Sequence, residues 1–323
     1  MNENLTIVCI GKSTQDVFLS SKESFTPYVG TDGKQYEHLP LGSKLDVDEV
    51  VFATGGNASN AAVTFSRQGI HAIYVWNLGT ELSSHAILDE LDREGVDTSR
   101  VSQQENNRTS YSTILLAPNG ERTILNYHGT VPKDDATDLN LDNLKDIEWV
   151  YLSALGSVKL LDSILRTFRE KNIKILLNPA GSELEDIDKL RPLLEDIDII
   201  VVNKEEAQKI VEGQTIGELV RHLNNYCPIA IVTDGPNGSV VSDKKEVIFA
   251  GMYENIPVID RTGGGDAFAS GFLSKYAMGS SLEESIIFAS ANSTSVVSKI
   301  GAKAGILHKN ATVHKMDIKK EIF

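Results

Sequence analysis

The chain is poor in cysteine. Cys9 and Cys227 are the only two thiols in 323 residues, which rules out a disulfide framework and leaves no paired-cysteine metal motif. Both stand in apolar stretches and read as buried free thiols. Long apolar runs are missing too. The first, residues 5–10, has no basic flank before it and is too short for a secretory signal or a membrane crossing. A cytoplasmic location with no membrane partner is the default expectation. Basic charge is in deficit: 31 Lys and Arg against 45 Asp and Glu give a net charge of −14. That balance disfavours nonspecific binding to nucleic acid or to anionic lipid. No internal repeat or low-complexity segment is evident.

Two common nucleotide-binding motifs are also absent. Gly11-Lys12-Ser13 follows an apolar run, but a P-loop would need glycine where Thr6 stands. A dinucleotide fold would carry G-x-G-x-x-G after the first strand, and Gly11 stands alone there. Neither a P-loop NTPase nor a dinucleotide-dependent dehydrogenase fits.

What is present is an ordinary globular composition, 41% apolar and 24% charged. The length suits one large α/β domain or two small ones. Continuous apolar runs at residues 5–10, 72–76, 149–153, 173–177, 197–202 and 228–233 read as buried parallel strands. Periodic segments at 58–68, 84–94, 159–171, 204–211, 216–226, 265–278 and 282–299 read as helices between and after them. Repeated βα units predict a mostly parallel sheet with helices on both faces, a three-layer α/β/α sandwich. Residues 109–116 and 121–127 flank Pro118-Asn119-Gly120, a strong hairpin signal. Residues 19–51 are polar and broken by Pro27, Gly30, Gly33, Pro40 and Gly42, with an alternating stretch at 46–52. Residues 238–249 read as a further hairpin. The two early hairpins do not fit a doubly wound sheet. The expected division is an α/β core over 1–16, 52–107 and 129–323, and a small β lid over 17–51 and 108–128.

The chemistry gathers near the C-terminal end, in Asp260-Arg261-Thr262-Gly263-Gly264-Gly265-Asp266-Ala267-Phe268. Glycines let backbone N–H groups approach an anion, and a helix N-terminus adds partial positive charge. A carboxylate beside such a cradle can take a proton from an attacking hydroxyl. A tight glycine turn with Asp266 at a helix start is the structural alternative.

Residues 260–272, DRTGGGDAFASGF, resemble the C-terminal signature of the ribokinase-like (PfkB) carbohydrate kinases. Residues 55–69, GGNASNAAVTFSRQG, resemble their N-terminal signature. Gly11 through Asp16 is similar to the family's first strand-end segment. Asn203-Lys204-Glu205-Glu206 fits its Asn-x-x-Glu motif, and Thr233 through Gly238 its Thr-x-Gly-x-x-Gly nucleotide loop. The five motifs stand in the family's order over nearly the whole chain.

The resemblance implies an ATP- and Mg²⁺-dependent kinase of a sugar hydroxyl, with Asp266 as general base and the amides of Gly263, Gly264 and Gly265 as anion hole. Asp16, Gly55, Gly56, Asn57, Asn60 and Asn178 would hold the acceptor. Asn203, Thr233, Gly235, Gly238, Asn292 and Gly301 would meet the nucleotide, with Ser290 on the adenine-side helix. Glu206 and Asn203 would hold Mg²⁺ through water, although the pair also reads as a helix capping box. Thr233 to Gly238 likewise reads as a plain β-turn. Asp260 and Thr262 map to the family's K⁺ site, with Gly305 replacing a side-chain oxygen found in some members, so K⁺ dependence stays open. Further departures are Gly264 for the usual alanine, Arg261 for a frequent threonine, Asp234 for an apolar residue, and an altered Gly-x-Asp-x-x-Gly segment at 79–84.

A nucleoside kinase of the same fold is the alternative, with Phe18, Phe25, Tyr28, Tyr111 and Tyr127 as candidate base clamps. A catalytically inactive ligand-binding relative is the remote one. Lid sheets with exposed edges pair between subunits, so a homodimer through the lid is expected.

Overall fold

The apolar run at the start of the chain forms β1 (Thr6–Gly11), buried along its whole length. The computed structural model describes residues 5–119, 121–132, 134–169, 171–253 and 256–323. After β1 the chain turns into β2 (Thr14–Ser20) and returns as β3 (Glu49–Gly55). Helix α1 (Asn57–Arg67) leads to β4 (His71–Val75), and α2 (Leu82–Arg93) follows. The pair β5 (Ser110–Leu116) and β6 (Arg122–Tyr127) forms the expected hairpin. Gly120 of its turn lies outside the described residues.

Strands then alternate with helices: β7 (Trp149–Ser153), α3 (Val158–Phe168), β8 (Lys174–Asn178), α4 (Ile187–Leu193), β9 (Ile199–Asn203), α5 (Lys204–Ile210), α6 (Ile216–Leu223) and β10 (Ile229–Thr233). The helix expected over 159–171 ends at Phe168, and position 170 lies outside the described residues. The hairpin β11 (Ser239–Ser242) and β12 (Glu246–Ala250) precedes α7 (Gly264–Ala277) and α8 (Leu282–Val297), and β13 (Ile318–Ile322) ends the chain.

Nine strands form one sheet in the order β13-β12-β11-β10-β9-β8-β7-β1-β4. From β4 to β10 all neighbours are parallel, and the three beyond are antiparallel. The parallel strands are apolar on both faces because helices cover both. Each fully buried Ile, Leu or Phe in these layers contributes about 1.5–3 kcal/mol of transfer free energy. β13 and α4 were not legible in the sequence. The first is Ile-Lys-Lys-Glu-Ile, with too little apolar content to stand out, and it forms by pairing with the edge strand β12.

A separate four-stranded sheet has the order β6-β5-β2-β3. Both early hairpins belong to it, joined by the parallel β2–β5 pair. Its strands run past the 17–51 interval at both ends, to Thr14 and to Gly55. The reason is pairing: Asp16 opposes Ala53 and Thr14 opposes Gly55. Asp16 therefore lies on the small sheet, where the sequence reading placed it at the end of the core. Among the described residues no helix is long and apolar enough to cross a membrane.

Candidate active site

The glycine run becomes the N-terminus of α7. Gly263 precedes the helix with φ +77°, a left-handed conformation costly for side chains other than glycine's. A Cβ there would also come within 2.5 Å of the Ala302 Cβ. The Gly264 amide closes the turn on the Arg261 carbonyl at 3.4 Å. The first N–H groups of a helix have no intrahelical acceptor, and Gly264 and Gly265 both line a cleft of about 220 Å³.

Asp266 lies in the first turn, 9% exposed. Asn60 Nδ2, on the first half of α1, donates to Asp266 Oδ2 at 2.8 Å. Burial pushes the Asp266 carboxyl from its ordinary 3.8 up to about 6, the Asn60 bond opposes this, and the Glu206 charge adds to it. That is the range in which a carboxylate serves as a base near neutral pH.

The cleft continues from the glycine turn to the loop after β10. Thr233, Gly235 and Gly238 line it, as do Arg261 and, from α8, Ser290, Ser293, Thr294 and Val297. The loop is held shut by Asp234, whose amide donates to the Gly238 carbonyl at 2.8 Å and whose carboxylate accepts from Asn237 Nδ2 at 3.2 Å. The departure at position 234 thus supports the loop. Ser293, Thr294 and Val297 were missed in the sequence, where the i, i+3, i+4, i+7 spacing from Ser290 was the available signal.

Two residues assigned to the nucleotide are committed elsewhere. Asn292, on the far side of that stripe, is fully buried. It donates to the Ala267 carbonyl and accepts from the Leu307 amide, both at 2.8 Å. The Gly301 amide donates to Asp260 Oδ2 at 3.0 Å. Asn203 and Glu206 form a capping box at the start of α5. One Glu206 oxygen is taken by that cap; burial raises its carboxyl, and its charge reaches Asp266.

On the acceptor side, Asp16 is 3% exposed. Burial is the main cause that pushes its carboxyl up to about 6, offset by the Ser112 and Thr14 hydroxyls and the Lys303 charge. Gly55 makes room for it: a Cβ at that position would lie 2.2 Å from Asp16 Oδ2. Gly55 and Gly56 lead into α1, with Asn57 half-buried as its first residue. Asn60 is 2% exposed; its Nδ2 is spent on Asp266, and its Oδ1 has no protein partner. Asn178 is half-buried at the end of β8 and has one close side-chain bond. Its Nδ2 donates to the Val201 carbonyl at 2.9 Å, and its own carbonyl accepts from Ser153 Oγ at 2.6 Å. The altered segment at 79–84 ties into the small sheet: the Gly79 amide donates to Thr109 Oγ1 at 3.1 Å, and the Thr109 amide donates to Glu81.

Residues 27–309 match the family model described as pfkB family carbohydrate kinase. The chain belongs to that family. Among its pfkB relatives, the ribokinase of Staphylococcus aureus is 24% identical over 93% of this chain and 96% of that one. Among solved structures, Arabidopsis thaliana ribokinase complexed with ribose and ATP superposes with a TM-score of 0.78 at 20% identity, covering 95% and 96% of the two chains. The adenosine kinase of Sinorhizobium meliloti does so at 0.73 and 21%, covering 93% and 96%. The ribokinase fold is therefore shared, and the family is one of carbohydrate kinases.

The residues fit two of the three groups that the pfkB family implies. The glycine turn, the loop at 235–238 and the α8 stripe fit ATP. Glu206, half-buried and near enough for its charge to raise Asp266, fits a hydrated Mg²⁺. K⁺ fits poorly. Asp260 is 1% exposed and accepts from the Thr262 amide at 2.9 Å, Thr262 Oγ1 at 2.6 Å and the Gly301 amide. Position 305 carries no side chain, and a Cβ there would meet the Ser295 carbonyl at 2.1 Å.

Proposed function

We propose that the protein phosphorylates a sugar hydroxyl with ATP. The observation that carries this reading is the Asp266 carboxylate, buried and raised to about 6 in the first turn of α7, next to Gly264 and Gly265, which line the cleft, and bonded to Asn60 of the helix that opens at the Gly55-Gly56 turn. Asp266 takes the acceptor's hydroxyl proton, and the resulting oxygen attacks the γ-phosphorus. The bond from phosphorus to the β-γ bridging oxygen breaks, and ADP leaves with that oxygen. The Gly265 amide and the dipole of α7 stabilise the charge on the phosphoryl group in transit. Bound Mg²⁺ would neutralise phosphate charge, with Glu206 holding its waters. Asp16 and Asn57 accept from and donate to acceptor hydroxyls, and the free Asn60 Oδ1 accepts the hydroxyl that reacts.

A sugar is favoured over a nucleoside by the fate of the aromatic residues. Phe18 and Phe25 are 1% and 3% exposed, packed as core. Pairing register puts Tyr111 and Tyr127 opposite each other, on the face of the small sheet away from Asp16. Phe18 shares the face of Asp16 but is fully buried, and Tyr28 is exposed with its ring 4.1 Å from that of His38, so the near neighbours of the acceptor carboxylate are the Thr14 and Ser112 hydroxyls. The small sheet acts as a lid over the acceptor and excludes water from the transfer. Its outer face exposes Phe52, Tyr111, Leu125 and Tyr127 together, a patch that a second copy of the chain would cover.

The test is a panel of pentoses, hexoses, sugar acids and nucleosides assayed with ATP and Mg²⁺. Turnover of a sugar that Asp266→Asn abolishes is the expected result. Turnover of nucleosides alone would overturn the sugar assignment, and inactivity across the panel with intact ATP binding would point to a ligand-binding relative.

A further inference from the structure

Lys303 is a buried cation whose one part so far is its charge near Asp16. It is 3% exposed, and its ammonium donates to Thr54 Oγ1 at 2.5 Å and lies 3.6 Å from Glu90 Oε2 on α2. Thr54 also donates to Glu90. A buried ammonium contributes little stability relative to an apolar side chain of similar size, because desolvation offsets the ion pair. Its use lies in what it holds.

Among the described residues β3 is the open edge of the small sheet, paired with β2 alone. Successive residues of a strand point to opposite faces, so Ala53 and Thr54 do too. Residues 301–303 pass around this edge. Gly301 sits on the inner face, where an added Cβ would lie 3.4 Å from the Ala53 Cβ, and Lys303 reaches Thr54 on the outer face. Behind the loop, Ala302 packs on Gly263 and the Gly301 amide is bonded to Asp260. Arg67 Nη1 grips the carbonyls of Lys303 and Ile306 at 2.9 and 2.8 Å. In front, Thr54 is followed by Gly55, against which the Asp16 carboxylate rests. A continuous set of contacts thus runs from the glycine turn to the acceptor carboxylate.

We propose that Lys303 is a positioning residue for the acceptor: it pins the edge of β3 to the 301–303 loop and so holds Asp16 and Gly55 in register with the Gly263 turn. The proposal rests on the reading of Asp16 as an acceptor ligand. Its effect falls on acceptor binding, since Lys303 lines neither the nucleotide cleft nor the surroundings of Asp266.

The experiment compares wild type with Lys303→Met and with Thr54→Val, which removes the same contact from the other side should the first variant fail to fold. Hydrogen exchange on the full-length, ligand-free protein reads the clasp without any substrate. Amides of residues 49–55 should exchange about tenfold faster in the variants while those of 229–233 stay unchanged. Unaltered exchange at 49–55 overturns the clasp whatever the acceptor is. On whichever of D-ribose, D-fructose or adenosine the wild type turns over, the acceptor KM should rise about tenfold, with kcat and the ATP KM within about threefold of wild type. A loss confined to kcat or to the ATP KM would overturn the positioning role. Should wild type turn over none of the three, the sugar-kinase reading is in question and the exchange result still decides the clasp.

Discussion

Asn60 and Asp266 lie 206 residues apart in the chain, and Asn60 Nδ2 donates to Asp266 Oδ2 at 2.8 Å. An N–H donated to a carboxylate favours its charged form. Here that bond works against burial and against the charge of Glu206, and the balance leaves Asp266 at about 6. The pair also welds α1, which opens at the acceptor turn, to α7, which opens at the glycine turn. Ser270 Oγ adds a second joint between these helices through Thr64 Oγ1 at 2.9 Å.

Asp266→Asn should lower kcat by about two to four orders of magnitude while ATP still binds. The same variant should be more stable than wild type near neutral pH. Asp266 is raised from 3.8 to about 6, so above that range its buried charge costs the folded state roughly 1–3 kcal/mol. Below about pH 4 the wild-type group is protonated in both states and the advantage disappears. Urea titrations at pH 8 and pH 4 check the sign.

The acid limb of kcat/KM should fall near pH 6, because the base works only when deprotonated and loses its charge as pH drops through its folded value. Asn60→Leu removes the bond that favours the charged form, so the limb should move to higher pH. A limb that stays in place would separate Asn60 from the base.

Glu206→Gln should raise the Mg²⁺ concentration for half-maximal rate by about tenfold, since glutamine lacks the charge that holds the hydrated ion. Glutamine still completes a capping box, so thermal stability should change little. Loss of the Glu206 charge should also move the acid limb to lower pH, opposite in direction to Asn60→Leu. An unchanged Mg²⁺ requirement would leave Glu206 with its capping role alone.

Gly263→Ala should abolish most activity and destabilise by about 1–3 kcal/mol, from left-handed strain and collision with Ala302. Gly265→Ala offers the control. An added Cβ there meets nothing within 4 Å, so stability should hold. Equal melting temperatures for the two variants would contradict the close approach at Gly263.

Phe52 is 70% exposed and Leu125 55% exposed, and pairing register places both on the outer face of the small sheet. Phe52→Glu should halve the mass of the wild-type particle in sedimentation if a second copy covers this face. A wild-type protein that already sediments as a monomer would overturn the dimer.

The parallel core was legible because strands buried on both faces must be apolar throughout, as residues 5–10 and 149–153 are. The glycine turn at the start of α7, the loop at 233–238 and the place of Asp266 in the first helical turn were legible because they are local in the chain. Asn178 and Asn292 misled for the opposite reason. An amide looks the same in sequence whether it faces a ligand or ties strands and helices together, and here Asn292 is bonded at both ends to the protein and Asn178 donates to the Val201 carbonyl. Lys303 carried no signal at all, since a lone lysine ordinarily reads as surface.

The sequence alone determined the alternation of strands and helices in the parallel core, the family, and a carboxylate beside a glycine run at a helix start, because each depends on residues close together in the chain. Only the tertiary structure decided that Asp16 belongs to the small sheet, that Asn60 tunes the base, and that the loop after α8 clasps the edge of β3. Those relations join segments tens to hundreds of residues apart, and burial, register and hydrogen-bond partners exist only once the chain has brought them together.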